Sequence, residues 1–146
     1  YPYVTSSPPT TSYALHSMGL PPQKVRKVWG AAKIYETYVG TKKFQPEGQL
    51  FNQLVECGEE YGSTTGRARQ TNWIDLQFLL RSMHINGISD VVFSKTDVLE
   101  EVGAYEILNP DKRFSSMDEM QDYLGRSLLE VFPNLNIYWS SSKEGL

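Results

Sequence analysis

The run ISDVVFSK, residues 88–95, constrains the fold of this chain more than any other stretch. Its centre is rich in β-branched and aromatic residues, which predicts a short buried strand. A helical pattern at residues 72–86 precedes this strand, and a helix that begins near Ser116 and ends before Pro133 follows it. A final strand is predicted at LNIYW, residues 135–139. Helices that alternate with short apolar strands indicate an α/β sheet protein.

The first half of the chain is predicted to be largely helical. Pro22 opens a helix whose apolar residues follow helical spacing, and Gly40 ends it. A shorter helix is predicted over residues 50–57, with its end near Gly62. Residues 1–21 are rich in Ser, Thr, Pro and Gly, and are predicted to be irregular with at most one short strand.

Capping residues mark the ends of two predicted helices. Asn72 is predicted to cap the helix at 72–86, with Asp75 in its first turn and Gly87 after its last residue. Ser116 and Glu119 form a capping-box pattern at the start of the last helix.

Composition excludes several classes of protein. The 146 residues suit one domain, and a net charge of −3 with a pI of about 5.4 argues against a general nucleic-acid binder. No apolar run reaches the roughly 18 residues that would span a membrane, and the first residues do not resemble a signal peptide. The single cysteine, Cys57, fits a buried position in a reducing compartment, so we expect a cytoplasmic protein. Because the chain opens at Tyr1 on what looks like mid-domain sequence, we expect it to be part of a larger protein.

The segment STTGRAR, residues 63–69, has the composition of an anion-binding loop. Glycines at positions 62 and 66 let the backbone approach a ligand closely, and two threonines offer hydroxyl groups. Arg67 and Arg69 offer planar guanidinium groups that suit a carboxylate or a phosphate. A helix predicted directly after the segment would add free N–H groups. A solvated loop whose arginines pair with surface carboxylates is an equally open alternative.

Two other loops carry candidate binding residues. Lys95 and Asp97 follow the predicted strand at 88–95, and ligands of open α/β sheets bind beyond the carboxyl ends of the strands. Hydroxyl groups in YPYVTSS, residues 1–7, could hold a phosphate. A capped strand end and a Ser/Thr turn are the simpler structural alternatives. His16 and His84 have no other ligand residues at metal-site spacing, and the usual phosphate-loop motifs are absent.

Taken in order, four segments resemble the C-terminal half of the adenylosuccinate synthetase family. They are YPYVTSS at 1–7, YVG at 38–40, YGSTTGRARQTNWID at 61–75 and SKTDVLE at 94–100. Typical members of the family show YPYVTSS, TRVG, FGATTGRRRR-x-GW-x-D and TK-x-DVL. The resemblance implies that residues 1–146 are the C-terminal portion of a single α/β domain with a P-loop-NTPase-like fold, in which helices pack on a mostly parallel sheet.

The resemblance implies a C–N ligase of purine biosynthesis. The family uses a nucleoside triphosphate to phosphorylate the six-oxygen of a purine nucleoside monophosphate, and L-aspartate then displaces the phosphate. Mg²⁺ assists and would be bound mainly by the N-terminal half, which also carries the phosphate loop and the catalytic Asp and His. We therefore expect no catalytic residue and no metal site in this segment, an inactive isolated chain, and a homodimer without membrane or nucleic-acid partners.

The resemblance also assigns three sets of binding residues. Those for aspartate are Ser63, Thr64, Thr65, Gly66, Arg67, Ala68 and Arg69. Those for the purine monophosphate are Thr5, Val39 and Arg67. Those for the triphosphate donor are Arg69, Lys95, Thr96, Asp97, Ser140 and Ser141.

Departures from the family pattern suggest which branch the chain resembles. VGAGPFPTE becomes VGTKKFQPEG at 39–48, and the Thr-Gly-Pro turn that caps a guanine donor becomes SSS at 140–142. These changes resemble the phage branch, which makes 2-aminoadenylosuccinate from dGMP with ATP or dATP in the host cytoplasm. Asp97 would suit guanine, so an ordinary synthetase that uses IMP and GTP is the alternative.

Three further functions stay open from the sequence. A purine-nucleotide-binding module without chemistry would need a phosphate loop, which the sequence does not show. A nucleic-acid binder would use the mixed basic and aromatic run GRARQTNW at 66–73, although the net charge counts against it. A structural domain that has lost activity would be unaffected by Arg67→Leu, whereas the ligase would lose the use of aspartate.

Overall fold

The structure is a computed structural model that describes residues 8–141. Within this range the strands form two sheets, and the helices pack against them. The elements in chain order are α1 (Thr11–Met18), a 3-10 turn (Pro22–Lys24), β1 (Trp29–Lys33), β2 (Tyr35–Tyr38), α2 (Gln49–Cys57), β3 (Gln70–Asp75), α3 (Leu76–Asn86), β4 (Asp90–Ser94), α4 (Thr96–Val102), β5 (Glu106–Leu108), β6 (Lys112–Arg113), α5 (Met117–Val131) and β7 (Asn136–Trp139).

The first sheet is parallel and has the strand order β1-β4-β7. Val91 of β4 pairs with Gly30 of β1 on one side and with Ile137 of β7 on the other. Val91 and Phe93 are at most 1% exposed, as expected for the central strand of a parallel sheet. Because the three strands run in the same direction, the segments that follow them lie at one edge of the sheet.

The second sheet is mixed and has the strand order β2-β3-β5-β6. Strand β3 pairs antiparallel with β2 and parallel with β5, and β6 closes the sheet antiparallel to β5. A single residue, Ile34, links β1 of the first sheet to β2 of the second. Ile34 is fully buried, and its N–H donates to the carbonyl of Ser94 at 3.0 Å. This short link places Lys33 and Tyr35 at the junction of the two sheets.

The main core is formed by apolar faces of α2, α4 and α5 together with the sheets. Buried residues of α5 recur at helical spacing, which gives this helix one apolar stripe. They are Met117, Met120, Leu124 and Leu128. Leu54 of α2 and Leu99 of α4 are fully buried in the same cluster. The helices therefore hold the strand ends at fixed positions.

The helix predicted from Pro22 to Gly40 is wrong. Its first residues form only a 3-10 turn, and the rest form β1 and β2. The apolar spacing of this stretch fits two short strands as well, and Gly30 disfavours a helix interior. Backbone pairing of β1 with the buried strand β4 decides the outcome. Tertiary pairing has here overridden a helical pattern.

The start and the capping residue of the next predicted helix also differ from prediction. The helix predicted at 72–86 begins only at Leu76, because QTNWID forms strand β3, in which Trp73 and Ile74 are buried. Asp75, and not Asn72, caps this helix by accepting from the N–H groups of Gln77 and Phe78. A strand therefore follows the segment at 63–69, and the predicted helix N–H groups are absent beside it.

The N-terminal region is more ordered than predicted over the part that the structure describes. Helix α1 begins after Thr10, whose Oγ1 accepts from the N–H of Tyr13 at 3.3 Å, and ends at Gly19 with a φ of 63°. Thr11 fastens the helix to Asn86 of α3 through its N–H at 3.0 Å and its hydroxyl at 2.9 Å. Thr10 and Gly19 were usable helix signals that the Ser/Pro-rich composition obscured.

Most of the remaining predictions are confirmed, but α2 ends at Cys57, before the predicted end near Gly62, and the predicted capping box forms only in part. Helix α2 and strands β4 and β7 form where the sequence indicates them, and Gly87 ends α3 with a φ of 61°. Ser116 caps α5 by accepting from the N–H of Glu119, whose carboxylate bonds Ser115 instead of Ser116. The α/β class with a mostly parallel sheet is confirmed, whereas α4, β5 and β6 were not predicted. Over residues 8–141, none of the helices has the length and apolar character needed to cross a membrane.

Candidate functional site

A buried carboxylate lies at the centre of the candidate site. The side chain of Glu60 is 2% exposed and follows the bend that ends α2. Lys33 Nζ donates to both of its oxygens at 2.7 Å, Tyr35 Oη donates to Oε1 at 2.8 Å, and Arg69 Nη1 donates to Oε2 at 2.9 Å. We call these four residues, Lys33, Tyr35, Glu60 and Arg69, the Glu60 cluster.

The Glu60 cluster keeps its carboxylate ionised. Burial alone would raise the pKa of Glu60, but hydrogen bonds from Lys33, Tyr35 and Arg69 outweigh it, and the pKa lies below its ordinary value. Burial and the bond to Glu60 raise the pKa of Tyr35 far above its ordinary range, so this hydroxyl keeps its proton. One negative and two positive charges meet here, which leaves the cluster with a net positive charge.

The segment at 63–69 forms a tight exposed loop. The N–H of Gly62 donates to the carbonyl of Arg67, and the N–H of Gly66 donates to the carbonyl of Gly62, both at 2.8 Å. Gly66 has a φ of 65°, a conformation that glycine adopts readily. Residues 63–68 are exposed, whereas the side chain of Arg69 is 32% exposed. Two arginines on one narrow loop make an arrangement that suits an anionic ligand.

The structure brings Arg67 beside the segment that contains Val39. Arg67 Nη2 donates to the carbonyl of Gly40 at 3.1 Å. The amide of Gln70 donates to the same carbonyl at 3.3 Å and to the carbonyl of Lys42 at 2.7 Å. Gln70 therefore ties the loop after β2 to the start of β3, and Val39 stays 61% exposed next to the arginine.

Lys95 reaches the same bend from the edge of the parallel sheet. It adopts a left-handed conformation with a φ of 68°, and its Nζ donates to the carbonyl of Gly58 at 2.8 Å. Only one residue separates Gly58 from Glu60, so the residue predicted to meet the base lies close to the Glu60 cluster. The negative charge of Asp97 contributes to the raised pKa of Tyr35, which indicates that the two side chains lie near each other.

The tail after β7 meets the Lys95 segment. Thr96 is 1% exposed, and its Oγ1 donates to the carbonyl of Ser140 at 3.0 Å. The N–H of Ser140 donates to the carbonyl of Phe93 at 2.8 Å. These bonds place Ser140 and the exposed Ser141 beside the end of β4, with the other residues predicted for the donor.

The predicted residues thus converge, with one exception that lies outside the described residues. Thr5 belongs to the range 1–7, so its place relative to Arg67 stays a prediction. Sequence reasoning missed Lys33, Tyr35 and Glu60. An acidic residue two positions before Gly62 was visible, but nothing local showed that a lysine and a tyrosine about 25 residues earlier would face it.

The site is an open, charged surface and is separate from two cavities of the chain. A cavity of about 930 Å³ is lined by Glu36, Asn72, Asp75 and Arg81, among others, and burial raises the pKa of its Glu36. A second cavity of about 460 Å³ lies between α1, β1 and α3. Neither is lined by Arg67, Arg69 or Lys95. Cys57 is partly buried, and burial raises the pKa of its thiol, which suits a structural role.

Comparison with known proteins shows which family the chain belongs to. The sequence profile of the family described as Adenylosuccinate synthetase matches residues 1–115. The adenylosuccinate synthetase of Thermus thermophilus is 46% identical over 101 residues, which are 68% of this chain and 25% of that protein. That of Brugia malayi is 43% identical over 102 residues, which are 68% of this chain and 23% of that protein. The chain spans about a quarter of the length of these curated relatives.

One solved structure shows the same fold. The structure of fully ligated adenylosuccinate synthetase from Plasmodium falciparum aligns with a TM-score of 0.76 at 22% identity, over 97% of this chain and 44% of that one. A cyanophage S-2L succinoaminodeoxyadenylate synthetase reaches a TM-score of only 0.49 at 16% identity, so it does not support the phage branch. From the profile match and the identity to curated relatives, the chain belongs to the adenylosuccinate synthetase family.

Proposed function

We propose that the protein containing this chain is a ligase that joins L-aspartate to the six-position of a purine nucleoside monophosphate. The observation that carries the proposal is a set of contacts that joins three segments. Arg69, at the end of the loop at 63–69, and Lys95 both bond the bend at residues 58–60, and Thr96 bonds the tail at Ser140. The relatives of this chain are adenylosuccinate synthetases, which supports the same activity.

The reaction has two steps. In the first step, N1 of the purine gives its proton to a base, the six-oxygen forms a bond to the terminal phosphorus of the nucleoside triphosphate, and the P–O bond to the diphosphate leaving group breaks. The amino nitrogen of aspartate then attacks C6, and the C6–O bond breaks as phosphate leaves. Such a reaction depends on positioning three charged substrates and stabilising the charge that develops.

We assign the loop at 63–69 to aspartate. Its exposed threonine hydroxyls can bind one carboxylate, while Arg67 and Arg69 bind the other. Arg69 uses Nη1 for Glu60, and a guanidinium group has five donors, so it can hold Glu60 and a substrate together. Arg67 can also reach the nucleotide ribose, since it lies beside the segment of Val39. Thr5 completes the monophosphate site in this proposal.

We assign Lys95, Thr96, Asp97, Ser140 and Ser141 to the donor nucleotide. The bond between Thr96 and Ser140 supports this grouping, because it joins the two segments into one surface. A lysine stem can lie against a purine ring while the carboxylate of Asp97 accepts from its N–H donors.

IMP is the proposed acceptor and GTP the proposed donor. The relatives found by sequence are ordinary adenylosuccinate synthetases. The carboxylate of Asp97 can accept hydrogen bonds from the N–H groups of guanine. The reaction of dGMP with ATP or dATP, which the departures at 39–48 and 140–142 suggested, is the second candidate.

Mg²⁺ would assist phosphoryl transfer in a member of this family. Within residues 8–141, however, no group of three His, Cys, Asp or Glu side chains is arranged to hold a metal ion. The described part of the chain therefore does not fit a metal site, and no step of the proposal passes through one. Residues 1–146 alone are expected to release no phosphate, and the full protein is expected to be a homodimer by light scattering.

The test uses the full-length protein that contains these residues, supplied with Mg²⁺. Two mixtures are compared: aspartate, IMP and GTP, or aspartate, dGMP and ATP or dATP, with the aspartate adduct detected by mass spectrometry. Arg67→Leu should lower kcat/KM for aspartate about a hundredfold, because two charge-assisted hydrogen bonds at about 1.5 kcal/mol each are lost. Arg126→Leu is the matched control, since Arg126 is exposed on α5.

The outcomes separate the candidate functions. An aspartate adduct formed with IMP and GTP supports the proposal. An adduct formed with dGMP but not with IMP selects the second candidate. Nucleotide binding without any adduct would indicate a non-catalytic module. Affinity for nucleic acid that falls steeply with salt and ignores aspartate would indicate a nucleic-acid binder. Equal activity of Arg67→Leu and Arg126→Leu would refute the assignment of the loop.

A further inference from the structure

Glu60 occupies the centre of the site without being able to touch a ligand. Its side chain is 2% exposed, and its two oxygens receive hydrogen bonds from Lys33, Tyr35 and Arg69 at 2.7 to 2.9 Å. A buried carboxylate with this many charged partners is costly unless every bond is kept. Its contacts therefore fix where the partner side chains can lie.

The main chain of the same bend makes three further connections. The N–H of Glu60 donates to the carbonyl of Val55 in α2 at 2.8 Å, and the N–H of Arg69 donates to the carbonyl of Glu60 at 2.8 Å. Lys95 Nζ donates to the carbonyl of Gly58 at 2.8 Å. The bend at 58–60 thus joins a core helix, the base of the arginine loop and the lysine beyond β4.

The positive and negative groups of the Glu60 cluster differ in exposure. Lys33 and Arg69 are about one-third exposed, at 28% and 32%, whereas the carboxylate between them is buried. The two cations would repel each other without Glu60, which holds them side by side. The exposed side of the cluster therefore presents positive charge at a fixed position, as a site for a dianion requires.

We propose that Glu60 is a positioning residue, which acts through Arg69 and Lys95 to set the aspartate loop relative to the donor nucleotide. This inference rests on the proposed ligase function. Glu60 fixes the guanidinium of Arg69 directly, and its backbone bend fixes the ammonium of Lys95. A shift of either group by about 1 Å would misplace a substrate and lower the rate strongly.

The test is Glu60→Gln in the full-length protein, because glutamine keeps the size of the side chain and removes its charge. We expect the KM for aspartate and for the triphosphate to rise about ten- to a hundredfold, and the KM for the monophosphate to change less than about threefold. Asp90→Asn is the matched control. Asp90 is fully buried and accepts from Lys27 and Asn136, but it lies at the amino end of β4, away from Lys95.

A double-mutant cycle shows whether Glu60 acts through Arg69. In an Arg69→Met background, Glu60→Gln should change the KM for aspartate by no more than about twofold, because the connection is already broken. If Glu60→Gln does not fold, Glu60→Asp takes its place, since it keeps the charge but withdraws it from Arg69. Failure of both variants to fold would assign Glu60 to folding alone and overturn the proposal.

The remaining outcomes distinguish this inference from the function on which it rests. An active wild-type protein whose Glu60→Gln variant behaves like Asp90→Asn would overturn the positioning role and leave the ligase function intact. Equal increases in all three KM values would also overturn it, because a general loss of structure has no preference among substrates. A wild-type protein that forms no aspartate adduct would overturn the ligase function and this inference together.

Discussion

Replacing Tyr35 by Phe removes one hydroxyl from the Glu60 cluster while keeping the buried ring. Tyr35 is 1% exposed, and its Oη donates to Glu60 Oε1 at 2.8 Å. A hydrogen bond to a charged group contributes about 1.5–3 kcal/mol. The carboxylate keeps its bonds from Lys33 and Arg69, so we expect a value in the lower half of that range. Tyr35→Phe should therefore lower the free energy of unfolding by about 2 kcal/mol at neutral pH.

The size of this effect should depend on pH in a defined direction. The pKa of Glu60 is lower in the folded protein than its ordinary value of 4.5. Its stabilising contribution is therefore complete above that ordinary value and is lost as the pH falls through the folded value. The difference between the wild type and Tyr35→Phe should be largest at neutral pH and should shrink in acid, once Glu60 is protonated in both proteins.

The assay is urea unfolding followed by tryptophan fluorescence at neutral and at acid pH. Tyr13→Phe is the matched control, because Tyr13 is 49% exposed on α1 and the same atom is removed. Its unfolding free energy should change by less than about 0.5 kcal/mol. Equal effects of the two substitutions, or a Tyr35→Phe effect that grows in acid, would refute the reasoning.

Three further predictions concern the backbone, a helix cap and the donor. Gly58→Ala should destabilise the protein strongly in urea, since the added Cβ would overlap Tyr35 Oη, and thermal unfolding should show the same loss. Ser116→Ala should lower the unfolding free energy by about 1 kcal/mol, because the N–H of Glu119 loses its capping oxygen. Asp97→Asn should raise the KM for GTP but not that for ATP in the full-length protein, and an equal effect on both would contradict guanine recognition.

Much of the fold could be predicted because local signals and tertiary packing agree. The buried run of β4 and the Ser116 cap of α5 are strong local patterns, and the structure keeps both. The helix predicted at residues 22–40 was wrong. Their apolar spacing fits a helix, but pairing of β1 with β4 and of β2 with β3 makes strands of them. The helix prediction was wrong at residues 72–75 for the same reason, because these residues belong to β3, which pairs with β2 and β5.

The candidate site could also be predicted only in part. Its exposed residues could be named from the sequence, because glycines, hydroxyls and arginines on a loop suggest their own chemistry. Glu60 could not, since its role comes from Lys33 and Tyr35, which the wrong helix assignment placed on a different element. Long-range partners of a buried charge become visible only when the strands that carry them are assigned correctly.

The single residue between β1 and β2 has a consequence for how relatives of this chain can vary in length. Lys33 and Tyr35 both bond Glu60 because they stand on either side of Ile34 and face the same way. One inserted or deleted residue at this point would turn one of them to the opposite face. Length changes between β1 and α2 should therefore avoid the link at Ile34.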